Sequence, residues 1–579
     1  MSRIIRAGVV TTFLINSVVW AATTPPVLPS SVSPERISAN LSKQPQANPP
    51  VTSRIVTATP PPSSPLGSEA AKIKFKLTKI ILENNTVYSD QQLEALYKDK
   101  LGTTISVVQL QGIVQSITNF YRNEGYILTR AILPPQKVAN GIVKIRVIEG
   151  YIAQVKVIGR PRGAKALLQA YGDNIIASKP LHIKVMEKYL LLSNEIPGVE
   201  TKAVLIPAKN RVGGTDINLL TDTKLATGYV SYDNYGTRYI GPNEISVGGE
   251  LYSLFRSGDS TQISTQTTTR PQELKFGQIL HSTPLGSKGM RWILSANEAR
   301  TRPGLTLRPL KIEGTANTYN TTIQYPLIRS RTQNLTLDGG FNYIDNKTVF
   351  SPAKATLYVD HLRTIKIGGN FDIADAWKGA SSIGLHVETG IPVLGETTIA
   401  QGNALFVQTS RAGASNHFSR IVMDLSHLQP LGSTRFSFSA FLTGQYSNQP
   451  LLASEQISFG GVQQALGRGY DAGEISGDKG YAGSLEFRAN FFPQKTFFQS
   501  SQLYIFYDAG VIFNNKFLVG QSSSYSATST GAGARFIFTK NFTGNVLIAQ
   551  PLTRKVGSLV AANINGRLPR VFFSVTLLG

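Results

Sequence analysis

From about residue 224 to the C terminus, apolar and polar residues alternate in runs of roughly ten, broken by Gly, Asn, Ser and Asp. In one run Tyr481, Gly483, Leu485, Phe487, Ala489 and Phe491 share a face, opposite Ala482, Ser484, Glu486, Arg488 and Asn490. In another, Phe436, Phe438, Ala440 and Leu442 alternate with Arg435, Ser437, Ser439 and Phe441. Near the end Phe573, Val575 and Leu577 are set against Ser574 and Thr576. Period-two alternation puts one face of each strand in an apolar medium and the other in a polar one. About sixteen such segments fill the region, at roughly 22 residues per strand and connection. A β-solenoid would repeat at a fixed period, which this region lacks, and a soluble sandwich has no use for so many strands in one run. Lipid leaves backbone groups no partner but each other, so the sheet must close. The pattern predicts an antiparallel transmembrane β-barrel of ~16 strands over residues 224–579.

A different texture precedes it. Residues 74–149 read as a small α+β unit in the order β-α-α-β-β. Phe75–Ile80 alternates as a strand, and Ser89 with Gln92 and Ser106 with Gln109 form two capping boxes, each opening a helix. The first helix carries Leu93, Leu96 and Tyr97. The second carries a stripe of Leu110, Ile113, Val114, Ile117, Phe120 and Tyr121 and stops at Gly125. Strands at Ile127–Leu133 and Ile142–Ile148 complete the unit. The same order returns over residues 150–223, with a strand at Ala153–Ile158, helices at Lys165–Tyr171 and Ile183–Ser193, and strands at Thr201–Ile206 and Asp216–Leu220. Tandem copies of so small a topology suit an adaptor better than an enzyme scaffold.

Residues 1–21 read as a signal peptide: Arg3 and Arg6 form the basic start, Ala7 to Trp20 the apolar stretch, and Val19 and Ala21 fit cleavage after Ala21. Residues 22–73 are a Pro-rich linker, as in the run Pro60-Pro61-Pro62-Ser63-Ser64-Pro65. Within it, residues 33–42 form a short helix signal. Ser33 stands at the N-cap, Pro34 at the first turn, and Ile37 and Leu41 one turn apart. So short a helix needs a surface to dock on. Beyond the leader no long apolar run predicts a transmembrane helix.

Composition removes several functions. The chain has no Cys, and its 6 His show no metal-ligand spacing, so no thiol chemistry, metal or cofactor is expected. The formal charge of +23 is spread along the chain without a recognition motif, so nucleic acid is not the expected partner. Outer-membrane lipopolysaccharide or a charged client suits it better. No triad, carboxylate dyad or phosphate loop points to an enzyme.

Several segments carry more information than their patterning. Tyr121-Arg122-Asn123-Glu124-Gly125-Tyr126 precedes Leu133-Pro134-Pro135-Gln136, and Asn140-Gly141-Ile142-Val143 leads to Val147-Ile148-Glu149-Gly150. Leu190–Val199, which contains Pro197-Gly198, and Gly213-Gly214-Thr215-Asp216 follow. Asp233-Asn234-Tyr235-Gly236-Thr237-Arg238 opens the alternating region, and Tyr325-Pro326-Leu327-Ile328-Arg329-Ser330-Arg331 lies inside it. Farther on, Ser458-Phe459-Gly460-Gly461 precedes Leu466-Gly467-Arg468-Gly469-Tyr470, and Phe506-Tyr507-Asp508 comes later. In this order the segments resemble the TpsB transporters of two-partner secretion, of the haemolysin secretion/activation type, over most of the chain.

The resemblance implies that the two small units are POTRA domains, with Pro134, Pro135, Gln136, Glu149, Gly150, Pro197 and Gly198 in their motifs. It implies that Gly467, Arg468, Gly469 and Tyr470 form the tip of a long loop folded into the lumen, between barrel strands eleven and twelve. Phe506 and Asp508 then lie on wall strand thirteen, and Arg468 pairs with Asp508. The chain departs from the family pattern at Gly467, where Val is common, and at its non-aromatic end, Leu577-Leu578-Gly579. The implied setting is the outer membrane of a Gram-negative bacterium. A large secreted partner (an adhesin, haemolysin or haem-binding protein) would be captured unfolded at POTRA sheet edges and exported through the lumen, its folding outside supplying the energy. Two other readings remain open: a barrel-assembly insertase of the same superfamily, and a passive porin-like channel.

Overall fold

The structure, a computed structural model, describes residues 30–42, 72–402, 409–493, 497–515, 522–553 and 568–579. The expected signal peptide and most of the Pro-rich segment lie outside the described residues. The short helix signal forms α1 (Pro34–Ser42).

In the first small unit the expected Phe75–Ile80 strand is two strands, β1 (Lys74–Lys76) and β2 (Lys79–Glu83). The break falls at Leu77-Thr78, where Leu77 is fully buried and the amides of Thr78 and Lys79 both donate to the Gly141 carbonyl. Both capping boxes form, opening α2 (Asp90–Glu94) and α3 (Val107–Asn123). Between these helices lies β3 (Thr104–Ser106), too short to leave a sequence pattern, which pairs with β1. β4 (Arg130–Ile132) and β5 (Ile142–Ile148) complete a sheet in the order β2-β5-β4, with β2 parallel to β5. The α3 stripe of Leu110, Ile113, Val114, Ile117 and Tyr121 packs on Ile80, Val143, Ile145 and Val147.

β4 is shorter than expected because Ile127 and Leu128 leave this unit and pack on the core of the next. That second unit holds β6 (Tyr151–Arg160), α4 (Lys165–Ile176), α5 (Ile183–Asn194), β7 (Val199–Pro207) and β8 (Gly214–Thr223). Its sheet runs β6-β8-β7, with β6 parallel to β8.

The next strands are β9 (Ala226–Asp233), β10 (Glu244–Tyr252), β11 (Ser260–Thr268), β12 (Leu274–Pro284) and β13 (Arg291–Thr301). β14 (Ile312–Arg329), β15 (Gln333–Phe350) and β16 (Ala355–Ala374) are the longest. β17 (Ala380–Gly390), β18 (Ser419–Leu431) and β19 (Ser433–Ser447) follow. A small hairpin, β20 (Ile457–Phe459) with β21 (Ile475–Gly477), interrupts the series. β22 (Lys479–Phe491), β23 (Ser500–Phe513), β24 (Ser524–Thr539), β25 (Phe542–Pro551) and β26 (Arg570–Leu578) finish it. Among the described residues sixteen of these strands, all but the hairpin, close into one antiparallel barrel, β26 pairing back onto β9.

Alternation assigns the two faces. Val230, Ile245, Val247, Ile263, Ile367, Leu385, Leu485, Phe487, Leu503 and Ile505 point outward and are exposed. A continuous apolar surface of this extent suits lipid and not water. The intervening Ser484, Glu486, Tyr504, Phe506 and Asp508 point inward and are buried. Arg435, near the start of β19, is exposed.

The second unit sits on the barrel's near rim. Arg329 pairs with Glu195, Arg331 Nε lies 2.7 Å from Glu187 Oε1, and Asn174 Nδ2 donates to the Ser287 carbonyl at 3.0 Å. The Tyr325–Arg331 segment singled out in the sequence is therefore a seat for α5. Gly258 and Gly289 leave room there for Leu167 and Leu192.

Candidate functional site

Among the described residues, two pieces of chain outside the wall strands meet in the lumen. The first is α1, whose Ile37 and Leu41 pack with Val32 on Tyr239, Leu274, Phe276, Ala299 and Ala316. Ser38 Oγ donates to Asn297 Oδ1 at 2.6 Å. The second is the long connection between β19 and β22, residues 448–478, which separates the eleventh and twelfth barrel strands. Asp508 lies on β23, the thirteenth.

The loop tip meets the wall at a buried arginine. Arg468 is 1% exposed. Its Nε and Nη2 approach Asp508 at 3.1 and 2.7 Å, and its backbone amide donates to the same carboxylate at 2.9 Å. Nη1 donates to Glu486, Nη2 also reaches Ser484 Oγ at 2.7 Å, and the guanidinium lies 3.6 Å above the Phe506 ring. Only a planar fork with five donors can serve all these partners at once. Asp508 accepts a further bond from Ser529 Oγ at 3.2 Å, while Glu486 also takes Arg488 and Arg535. Burial alone would lower the Arg468 guanidinium, but the bonds and charges of Asp508 and Glu486 hold it above its ordinary value.

The flanking residues fit the tip to the wall. Gly467 has φ +68°, and a Cβ there would lie 2.5 Å from the Phe459 ring. The departure from Val thus has a local cause, since a β-branched residue fits neither that backbone nor that space. Gly469 approaches Pro551 and Ser529, whose Oγ accepts its amide at 3.3 Å. Tyr470 donates to the Thr528 carbonyl at 2.8 Å and packs on Phe459. Gly467→Val should unseat the tip at a cost of about 1–3 kcal/mol. Limited trypsin digestion of the purified protein checks this: cleavage after Arg468 should appear in the variant and not in the parent.

The sequence reading missed the other anchors of this loop. Asp471 pairs with Arg238 and, at 2.8 Å, with Arg570. Asp478 pairs with Arg411, and Arg420 bridges Glu455 at 2.5 Å and Glu388 at 2.6 Å. Burial, and then the charge of Asp471, push the Glu474 carboxyl up to about 7 against the pull of Arg238 and Arg570. The loop also holds α1, since Arg36 Nη2 donates to Gln456 Oε1 at 2.5 Å and Gln464 bonds Asn40. Arg238 lies 233 residues from Asp471, and only the fold brings them together.

The residues singled out in the two small units lie apart from the lumen set and from one another. The Gln136 amide exchanges two hydrogen bonds with the Lys144 backbone, at 2.7 and 2.8 Å, standing in for β4 on the side of β5 where that strand has ended. Pro134 and Pro135 lead into it from β4. Glu149 takes the amides of Thr86 and Val87 at 2.7 and 3.0 Å and the Tyr121 hydroxyl at 3.0 Å. Gly150 passes so close to Leu128 that no Cβ fits, which sets the joint between the units. Pro197 and Gly198, at φ +73°, turn the chain from α5 into β7 against the Tyr252 ring of the barrel.

Comparison with known proteins agrees with this architecture. Residues 213–536 match the family described as haemolysin secretion/activation protein ShlB/FhaC/HecB, and residues 75–150 match the POTRA domain of ShlB type. The heme/hemopexin transporter protein HuxB of Haemophilus influenzae (strain 86-028NP) is 26% identical over 518 residues, 86% of this chain and 88% of that protein. The hemolysin transporter protein ShlB of Serratia marcescens is 24% identical over 72% of this chain and 73% of its own. Among solved structures, CdiB from Escherichia coli superposes with a TM-score of 0.73 at 17% identity, covering 94% of this chain and 96% of that one, a likeness of fold.

Proposed function

The chain belongs to the haemolysin secretion/activation protein family ShlB/FhaC/HecB, and on that premise we propose that it captures an unfolded exported partner at its periplasmic units and passes it through the barrel lumen. It is an outer-membrane transporter, with its POTRA region in the periplasm. The second unit, residues 150–223, is read as another POTRA domain because it repeats the topology of the first. The partner is a large secreted protein, of the kind whose relatives' transporters are named for heme/hemopexin and hemolysin. The activity assigned is transport and not catalysis.

One observation carries this reading. The lumen holds α1 and the 448–478 loop, and among the described residues neither is a strand of the closed barrel. The loop hairpin β20–β21 is a sheet of its own, and both pieces are held by side-chain bonds. Such a filling can leave without taking a wall strand with it. A porin-like passive channel has no use for a latch this heavily bonded. The insertase reading usually comes with more POTRA domains, and the described residues hold two units of that topology.

Client capture is assigned to the sheet edges. β2 and β4 bound the first sheet and β6 and β7 the second, and strand addition there uses main-chain bonds that tolerate varied client sequences. Deleting residues 74–223 should leave a membrane-inserted barrel that still shifts on gels when heated, while export falls to the level of cells lacking the chain. Undiminished export by the deletion variant would place the receptor in the barrel.

A further inference from the structure

The barrel closes where β26 meets β9, and this ladder is short, running from Ser574–Asp233 to Leu578–Tyr229. The neighbouring β25–β26 ladder is longer, from Phe542–Leu577 to Ala549–Arg570. Past Asp233 the seam continues through the backbone and side chain of Asn234 and the side chain of Tyr235. Asn234 accepts the Phe573 amide on Oδ1 at 2.7 Å and donates from Nδ2 to the Val571 carbonyl at 3.0 Å, its own amide reaching the Phe573 carbonyl at 3.2 Å. Tyr235 then donates to Ser574 Oγ at 3.0 Å. The Asp233–Arg238 segment, which the transport reading leaves without a role, is thus built into the closure.

The loop tip completes it. The Asp471 side chain is fully buried. Its two oxygens divide between Arg238, past the end of β9, which hydrogen-bonds one of them, and Arg570, the first residue of β26, which faces the other as an ion pair at 2.8 Å without hydrogen-bond alignment. One carboxylate from a third element therefore bridges the two sides of the seam. Without it two guanidinium groups would flank the closure, with Glu474 at 3.3 Å from Arg238 as a remaining counter-charge. Asp471 stands three positions after Arg468, so one withdrawal of the tip would remove both anchors.

We propose that Asp471 makes the loop tip a clasp on the closing seam, so that withdrawal of the tip from the lumen loosens the β9–β26 pairing at its end nearest Arg570. Asp471 is a positioning residue in this account: it acts on the wall through Arg238 and Arg570. Loosening gives the lumen room when its filling leaves.

Hydrogen–deuterium exchange on the purified full-length protein tests this without any client, so its outcome is separate from that of the transport reading. Asp471→Asn, a near-isosteric change, should speed exchange in peptides covering 229–235 and 570–578 by about tenfold or more, with β14–β16 unchanged. Asp471→Glu, which keeps the charge, should stay closer to the parent. Arg468→Ala should speed the seam as well, since it frees the tip. Acceleration confined to loop amides 460–475, or equal acceleration in the Asn and Glu variants, overturns the clasp. A seam that stays protected in Arg468→Ala overturns its coupling to the tip.

Discussion

Arg468→Ala is expected to cut export of the partner by at least about tenfold, with the barrel still inserted and still heat-modifiable. Arg468 is bonded to Asp508, Glu486 and Ser484 inside a nearly dry pocket. Removing one partner of a buried ion pair costs about 3–5 kcal/mol, largely because the remaining charge is stranded, and here that charge is Asp508, while Glu486 keeps Arg488 and Arg535. The tip then loses its fixed seat, and the loop stays in the path of the client without a defined position. Lysine at 468 should restore part of the activity: it keeps the charge but lacks the fork and the stacking face on Phe506. Exchanging the charges, Arg468→Asp with Asp508→Arg, is not expected to rescue, because Glu486 would face the new carboxylate. The informative pair is Arg468→Ala with Asp508→Ala, whose combined loss should fall well short of the sum of the single losses. Partner in the medium, measured at matched outer-membrane levels, reads both.

Deleting residues 30–42 should raise single-channel conductance in planar bilayers severalfold. A helix with its side chains is about 10–12 Å across, a large share of the lumen of a barrel this size. The seat of α1 is good on one face, where Ile37 and Leu41 pack, and poor on another. The Glu35 carboxyl is buried, and desolvation raises it above its ordinary range against the weaker pull of its own backbone, Arg36 and Ser33. Burying a charge so poorly compensated opposes the apolar gain and leaves the helix weakly held. Conductance unchanged by the deletion would mean that the 448–478 loop alone closes the pore.

How much of this the sequence revealed follows from the range of the interactions. The barrel was legible because alternation is local: Tyr481, Leu485 and Phe487 point to lipid for the same reason that Ser484 and Glu486 do not. Capping boxes at Ser89 and Ser106 are also local, and both helices begin there. The break at Leu77-Thr78 was not legible, since it depends on a carbonyl at Gly141, and neither was β3, with only three residues. Arg468 and Asp508 could be paired only through resemblance. Nothing local shows that Glu486 completes the pocket or that Asp471 finds Arg238 and Arg570. The Arg468–Asp508 pair implied by the resemblance is, in the fold, one corner of a larger network of loop-to-wall ion pairs.

Export of a partner protein through this barrel is read most directly from where that partner ends up. A large exported protein with an N-terminal secretion domain, encoded beside this chain, is produced in cells with and without it. Its distribution between medium and periplasm is then read by immunoblot. It should reach the medium only when the chain is present and stay in the periplasm with Arg468→Ala. Equal amounts in the medium with and without the chain would contradict export through this barrel.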